Sequence, residues 1–293
     1  MIQPLNQLGT ERYKETIVQF GDGADLTGVF SSPNDSVHAG PVPILLNAGI
    51  VHRVGPFRLH VDLAREFAKR GIASLRLDIS GLGESSVRRQ VAEHESRAVL
   101  DLREAMDFLQ NRFGTDQFVL IGLCSGAFNA HHTALADDRV AGAVFLDGIV
   151  YRTSGYYRRL LWQRISRLRP WRNALKRRLT AEQPRSDKQQ GDLLGEEEFF
   201  VNDSSVEQTA AEIKSMIDRG MQMLFTYTEG YDDISGRQQF REMFGITPSD
   251  QVQVDYLENC EHTFRLTQNR QQIVQRIAEW WLERFSADNS KAQ

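Results

Sequence analysis

The sequence predicts an α/β fold with a mostly parallel sheet of eight strands, helices on both faces and an inserted helical cap. Short apolar runs alternate with helix-like periodicity along most of the chain, and one long basic segment interrupts this alternation. The length of 293 residues suits one large domain with a small insertion. We therefore expect residues 1–148 and 206–293 to form the core and residues 149–205 to form a cap or lid.

The predicted elements follow one another in chain order. Lys14–Phe20 and Leu26–Ser31 flank the turn Gly21-Asp22-Gly23 and should pair antiparallel. Every later strand is a short run joined to the next by a longer connection, and parallel strands need such connections. These strands are Ile44–Ala48, Ile72–Leu77, Gln117–Gly122, Val140–Leu146, Met221–Tyr227 and Gln251–Leu257. The predicted helices are Pro56–Arg70, Glu95–Phe113, the stretch after Gly126, Val206–Arg219, Arg237–Phe244 and Arg270–Phe285.

Composition argues against several classes of protein. The net charge of −4 does not indicate nucleic-acid binding. No apolar run approaches the roughly 18 residues of a membrane span, and the first residues do not resemble a secretory signal. Two cysteines fit a reducing compartment, so we expect a cytoplasmic protein, with the membrane surface as an alternative location. Neither zinc-ligand spacing nor a phosphate-binding glycine loop occurs, so no metal or cofactor is expected.

The segment from Phe118 to Ala127 carries the strongest functional signal. An apolar strand runs into Gly122-Leu-Cys-Ser-Gly126 and then into a helix-like stretch, which is the context of a nucleophile elbow. Counting between the two glycines puts Cys124 at the reactive position. A shift by one residue would make Ser125 the nucleophile instead, but it would misplace both glycines. In the favoured register the Ser125 N–H is one oxyanion donor and its hydroxyl has no role.

A thiol nucleophile needs a base, and the base needs an acid that orients it. His262 follows the last predicted strand and is the predicted base. The acid should follow the Met221–Tyr227 strand, where Asp232 is favoured. The alternatives are Asp233, Glu229 and, at the end of the preceding strand, Asp147.

The loop after the Ile44–Ala48 strand should supply the second oxyanion donor. We expect that donor to be the Ile50 N–H, because Gly49 lets the chain approach a substrate closely. His52 and Arg53 in the same loop are candidates for contact with a substrate carboxylate or phosphate, or are simply rim residues.

The interrupting segment is basic and amphipathic. From Arg152 to Arg178 it holds ten Arg or Lys residues, with Trp162 and Trp171 among its apolar residues. The favoured interpretation is a cap over Cys124 in which Trp162 or Trp171 lines the acyl pocket or its entrance. The alternative is a surface for an acidic carrier protein or an anionic membrane, because a cap and a surface-seeking helix share this pattern.

These motifs together resemble the α/β-hydrolase superfamily along nearly the whole chain. Their order is Asn47-Ala-Gly49, Asp78-x-x-Gly-x-Gly-x-Ser85, the elbow, Asp232 and Glu261-His-Thr-Phe264. A closer resemblance, through residues 47–56 and 122–127, is to bacterial hydrolases found beside exosortase and polysaccharide systems. The cysteine at the elbow is also similar to that of dienelactone hydrolases and polyhydroxyalkanoate synthases.

The sequence therefore predicts an acyl hydrolase of small-molecule esters, thioesters or lactones that works through a Cys–His–Asp triad and a thioester acyl-enzyme. Transfer of the acyl group to an amine, alcohol or thiol is the first alternative. A non-catalytic binding protein on the same scaffold is the second. The remaining thiol, Cys260, is either a packing residue or the partner of Cys124 in a reversible disulfide.

Overall fold

A computed structural model describes residues 13–23, 25–34, 39–88, 96–166 and 204–286, with the side chains of residues 163–166 excluded. Its centre is one sheet of eight strands in the order β1-β2-β4-β3-β5-β6-β7-β8. β2 pairs antiparallel with β1 and β4, and every other neighbouring pair is parallel. The predicted fold class is confirmed. The strands are β1 Tyr13–Phe20, β2 Leu26–Pro33, β3 Val42–Leu45, β4 Ser74–Asp78, β5 Phe118–Leu123, β6 Val140–Leu146, β7 Gln222–Thr228 and β8 Val252–Leu257.

Seven α-helices of the described residues cover the sheet. They are α1 Leu59–Lys69, α2 Arg97–Phe113, α3 Ser125–Ala136, α4 Ser154–Ser166, α5 Val206–Asp218, α6 Gln239–Phe244 and α7 Thr267–Phe285. Buried residues of α1 and α7 pack on one face of the sheet, and those of α2, α3, α5 and α6 pack on the other. The sheet is thus apolar on both faces, which explains why its central strands read as continuous apolar runs.

The longest described helix, α7, shows how the outer layer is held. Ile273, Ile277 and Trp281 lie on the predicted apolar stripe and are buried against the sheet. The Trp281 indole N–H donates a hydrogen bond of 3.0 Å to the Pro41 carbonyl. A continuous helix from Pro56 was predicted, and this is wrong: Phe57 and Arg58 have positive φ, so a short 3₁₀ turn precedes α1.

Parallel strands place all their carboxyl ends at the same edge of the sheet. The connections that follow β3, β5, β6, β7 and β8 therefore meet there, and this is the edge at which ligands bind in α/β folds. The predicted nucleophile, base and oxyanion loop all lie on these connections.

Helix α4 is the described beginning of the predicted cap. The Tyr156 hydroxyl donates to the Asp232 carbonyl at 2.7 Å, and Arg152 pairs with Asp233 at 2.7 Å. The helix is thereby held against the connection that follows β7, at the carboxyl edge. Residues 167–203, including Trp171, lie outside the described residues, so the division into core and cap stays a prediction. Within the described ranges, no helix is long and apolar enough to cross a membrane.

Candidate active site

A sharp turn joins β5 to α3, and Cys124 occupies it. Its backbone angles, φ 56° and ψ −117°, lie outside the regions that non-glycine residues prefer. Strain of this kind is stored at functional sites. The Cys124 N–H donates to the Leu146 carbonyl at 2.9 Å, which fixes the turn to the neighbouring strand.

The two glycines of the motif are required by close contacts of the backbone. A Cβ at Gly122 would lie 2.1 Å from the carbonyl carbon of Gly126, and one at Gly126 would lie 2.5 Å from the Asn47 carbonyl oxygen. Real Cβ atoms essentially never come this close to another heavy atom. The turn after β5 therefore has the conformation and packing of the predicted elbow.

Cys124 and Ser125 have different surroundings. Cys124 is half-buried at the apex of the turn, whereas Ser125 is buried as the first residue of α3. The Ser125 hydroxyl oxygen accepts a 2.7 Å hydrogen bond from the Gly49 N–H. The expectation that this hydroxyl has no role is corrected: it ties the elbow to the loop after β3.

His262 lies on the connection between β8 and α7, as predicted. Its Nδ1 is 3.0 Å from Oδ2 of Asp147, and its side chain is 27% exposed. Burial disfavours a charge on this ring. Hydrogen bonds to Asp147 and Cys124, and the charges of both groups, outweigh burial and raise the pKa of His262 to about 9. Since Nδ1 bonds to the carboxylate, Nε2 is the ring nitrogen left to interact with Cys124.

Asp147, not Asp232, is the carboxylate that contacts His262. It follows β6 directly, is completely buried and has a positive φ of 44°. Its two oxygens accept hydrogen bonds of 2.6 Å from the N–H and the hydroxyl of Thr228, at the end of β7. Thr228 therefore fixes the carboxylate independently of the third hydrogen bond, which it accepts from His262.

The favoured Asp232 and two of its alternatives, Asp233 and Glu229, lie in the loop after β7 but have other environments. Asp232 is exposed, and only its carbonyl group accepts a described hydrogen bond, from Tyr156. Asp233 pairs with Arg152, and Glu229 accepts from the Asn259 N–H at 2.7 Å. The choice of Asp232 is therefore wrong. The carboxylate that reaches His262 is Asp147, which follows β6 and is fixed by Thr228 at the end of β7. Local sequence cannot reveal contacts between such distant parts of the chain.

The loop after β3 is held by a buried polar network. The Asn47 amide donates to Asp78 at 3.1 Å and accepts from the Ile79 N–H at 2.9 Å. Asp78 also accepts hydrogen bonds from the backbone N–H and the guanidinium of Arg53. The Arg53 guanidinium forms ion pairs with two carboxylates, those of Asp78 and Glu84.

This network corrects the expectation that Arg53 binds substrate, because its guanidinium is engaged inside the protein. His52 is exposed beside it, and its role stays a prediction. Among the residues that the structure describes, neither the Ile50 N–H nor the Ser125 N–H has a hydrogen-bond acceptor. Both amides are thus available to a ligand.

Of the two tryptophans predicted to line the acyl pocket or its entrance, only Trp162 belongs to the described residues. Trp162 is 71% exposed on α4, and Tyr157 and Leu161 on the same helix are also exposed.

Cys260 is buried with a free thiol, and burial together with the Glu261 charge raises its pKa to about 12. That environment is typical of a packing residue. In the described part of the chain, no group of three or more His, Cys, Asp or Glu residues could hold a metal ion.

Two further residues of the site were missed from the sequence. Thr228 fixes Asp147, and Tyr231 stacks on the His262 ring with centroids 4.9 Å apart and planes 20° from parallel. Both belong to the end of β7 and its turn. A threonine closing an apolar strand was the available signal, but its partner lies on another strand.

Solved structures with this fold match almost the whole chain at low identity. An esterase from Pyrococcus furiosus is 15% identical, with 98% of each chain covered and a TM-score of 0.59. An α/β serine hydrolase without lid from Xanthomonas campestris is 13% identical, with 96% and 97% covered and a TM-score of 0.55. A dienelactone hydrolase from Anabaena variabilis is 12% identical, with 93% and 98% covered and a TM-score of 0.56. Such identities establish the fold alone.

No curated protein sequence matches the chain significantly. A family model described as serine aminopeptidase, S33, matches residues 50–266, which include the elbow, Asp147 and His262. The matched residues make up more than half of the chain. The protein therefore belongs to the serine aminopeptidase S33 family and is an α/β hydrolase.

Proposed function

We propose that this α/β hydrolase cleaves esters, thioesters or lactones through a covalent thioester on Cys124. The observation that carries the proposal is the contact chain from Cys124 through His262 to the buried carboxylate of Asp147. The family is named for a serine enzyme, so the cysteine is a departure that needs its own test. The half-buried thiol at the strained turn supports Cys124, because the neighbouring Ser125 hydroxyl is already bonded to Gly49.

The first chemical step uses a thiolate and an imidazolium. The Cys124 Sγ attacks the acyl carbon, and the carbonyl oxygen takes up negative charge. The amides of Ile50 and Ser125, which lack acceptors in the described structure, are the proposed donors to that oxygen. When the intermediate collapses, the leaving group takes the proton from Nε2 of His262, and a thioester and a neutral imidazole remain.

The second step regenerates the enzyme. Acylation removes the charge of Cys124, which is one of the causes that raise the pKa of His262. The ring therefore stays neutral more readily in the acyl-enzyme than in the free enzyme. Neutral His262 can then take a proton from water, whose oxygen attacks the thioester and releases the carboxylic acid. Asp147 holds the ring in the required tautomer throughout.

Acyl transfer is the second candidate function. The observation that favours it is the cysteine itself, since the resulting thioester is more reactive toward amines and thiols than an oxygen ester would be. A non-catalytic binding role is not favoured, because such a scaffold would not need a buried carboxylate fixed by two donors from Thr228. The resemblance to exosortase-associated hydrolases is consistent with either reaction and does not identify the acyl group.

We further propose that residues 149–205 form a cap whose start is α4, with Trp162 near the entrance. Its basic residues are candidates for binding an acidic carrier protein or an anionic membrane. Arg152 and Arg159 are already paired with Asp233 and Glu242, so they contribute little to such binding. Vesicle and carrier binding should therefore fall when Arg158, Arg164 and Arg167 are changed to Gln. Unchanged binding would refute the partner role and leave the cap intact.

A substrate panel tests the proposed reaction. Purified protein is incubated with aryl esters, acyl thioesters and lactones, and free acid is measured with and without added amine, alcohol or thiol. Hydrolysis predicts free acid at a rate that the acceptors do not change. Transfer predicts acylated acceptor at the expense of free acid. If no member of the panel reacts faster with wild-type protein than with Cys124→Ala, the proposed function is wrong.

A further inference from the structure

Tyr231 stacks on the ring of His262, the predicted base, but takes no part in either chemical step. The two ring centroids are 4.9 Å apart and their planes differ by 20°, so the rings are stacked. Tyr231 is half-buried in the turn that follows β7. The same strand end supplies Thr228, which fixes Asp147. One turn therefore contacts both the acid and the base.

The stack is built into the backbone. The Gly230 N–H donates to the Cys260 carbonyl at 2.9 Å, and the Tyr231 N–H donates to the Thr228 carbonyl at 3.2 Å. A Cβ at position 230 would lie 2.7 Å from the Cα of Glu261. Only glycine lets the two loops approach this closely, and the approach brings the Tyr231 ring onto His262.

Charged and titratable groups surround the two rings. His262 faces Asp147 through Nδ1 and interacts with Cys124. Burial, and then the charges of Cys124, Asp233 and Asp147, raise the pKa of Tyr231 above its ordinary value. The phenol therefore stays neutral at every pH at which the pair functions. Four other titratable groups lie nearby. Tyr227 is buried beside Asp147, and Arg152 pairs with Asp233. Cys260 and Glu261 belong to the same loop as His262.

We propose that Tyr231 is a positioning residue whose ring face stabilises the protonated His262 and so favours the imidazolium–thiolate pair with Cys124. A neutral aromatic ring has a negative face, and a cation over that face is attracted to it. The stack also limits rotation of the imidazole, so that Nε2 stays directed toward the thiol. This inference rests on the proposed function, because it assigns a task to a ring beside the proposed base.

The test measures the pKa of His262 by nuclear magnetic resonance on protein with labelled histidines, with His262→Gln used to assign the signal. The pKa of His262 in wild-type protein should lie near 9, because the hydrogen bonds to Asp147 and Cys124 and the charges of both groups outweigh burial. Tyr231→Phe keeps the stack and should leave this pKa within about 0.3 of the wild-type value. Tyr231→Leu removes the ring face and should lower it by about one, which is a tenfold fall in the ratio of protonated to neutral His262 at equal pH.

A second variant guards against misfolding. Replacement of Tyr231 by 3,4,5-trifluorophenylalanine keeps the shape of phenylalanine but weakens the negative face, so the pKa should fall below that of Tyr231→Phe. The absorbance of the Cys124 thiolate at neutral pH should also be lower in the trifluorophenylalanine variant than in Tyr231→Phe. If Tyr231→Leu and the trifluorophenylalanine variant both titrate like wild-type protein, the inference is wrong. The proposed function fails by a different result, in which no ester, thioester or lactone reacts faster with wild-type protein than with Cys124→Ala.

Discussion

Replacing Asp147 by Asn tests the assignment of the acid most sharply. The two carboxylate oxygens serve three donors: the Thr228 N–H, the Thr228 hydroxyl and Nδ1–H of His262. An asparagine has only one oxygen. If that oxygen accepts from the Thr228 N–H, the amide NH₂ faces His262 and can bond only to an unprotonated Nδ1. The proton then resides on Nε2, and neutral His262 cannot act as the base.

The magnitude follows from this wrong tautomer. An equivalent replacement in a serine triad costs about 10⁴-fold, and a thiol depends less on its acid, so we expect a loss of roughly 10²–10³-fold in turnover. The opposite amide orientation restores the bond to His262 but leaves the buried Thr228 N–H facing an NH₂ group, at a cost of about 1–3 kcal/mol. Asparagine tolerates the positive φ of residue 147, so the backbone should persist.

The assay is single-turnover acylation and steady-state hydrolysis of the best substrate, with melting temperature as the control for folding. Asp232→Asn is the matched control, because that exposed carboxylate contacts neither His262 nor Thr228 in the structure. It should change turnover by no more than about twofold. A large loss of turnover in Asp232→Asn, with Asp147→Asn still active, would show that Asp147 is not the acid.

Three further predictions follow from the site. Acylation should decline above about pH 9, because the leaving group needs the proton on His262. The raised pKa of His262 also stabilises the folded protein; this stabilisation is complete below about pH 6.5 and is lost as the pH rises through about 9. The melting temperature of His262→Gln should therefore depend less on pH between about 6.5 and 9 than that of wild-type protein. Ser125→Ala removes the acceptor of the Gly49 N–H and should lower kcat by about tenfold while leaving acylation of the thiol possible, whereas retention of full kcat would show that this bond does not position the loop. Gly126→Ala forces a Cβ toward the Asn47 carbonyl and should cost about 3 kcal/mol or more in unfolding free energy, measured by urea titration; a cost below about 1 kcal/mol would contradict the close packing of the elbow.

The elements whose signals are local could be predicted from the sequence. The elbow needs a strand, two glycines and a helix within ten residues, and all three occur between Phe118 and Ala127. The position of His262 after the last strand is equally local. The strand boundaries differ from the prediction by at most three residues, since apolar runs define a strand more closely at its centre than at its ends.

The residues that were misassigned depend on contacts between distant parts of the chain. Asp147 and Asp232 both follow apolar strands, so the sequence cannot say which carboxylate reaches a histidine more than a hundred residues from Asp147. Arg53 looked available because its partners, Asp78 and Glu84, are 25 and 31 residues away. The Ser125 hydroxyl looked idle because Gly49 is 76 residues away. Pairings of this kind become visible only when the sheet is assembled.

The location of the acyl group in a trapped acyl-enzyme identifies the nucleophile directly. Protein is quenched in acid during turnover of an aryl ester, and intact mass and peptide mapping identify the modified residue. We expect one acyl group on Cys124, held as a thioester that hydroxylamine cleaves. It should be absent in Cys124→Ala and retained in Ser125→Ala. An acyl group on Ser125, or acylation that survives Cys124→Ala, would contradict this expectation.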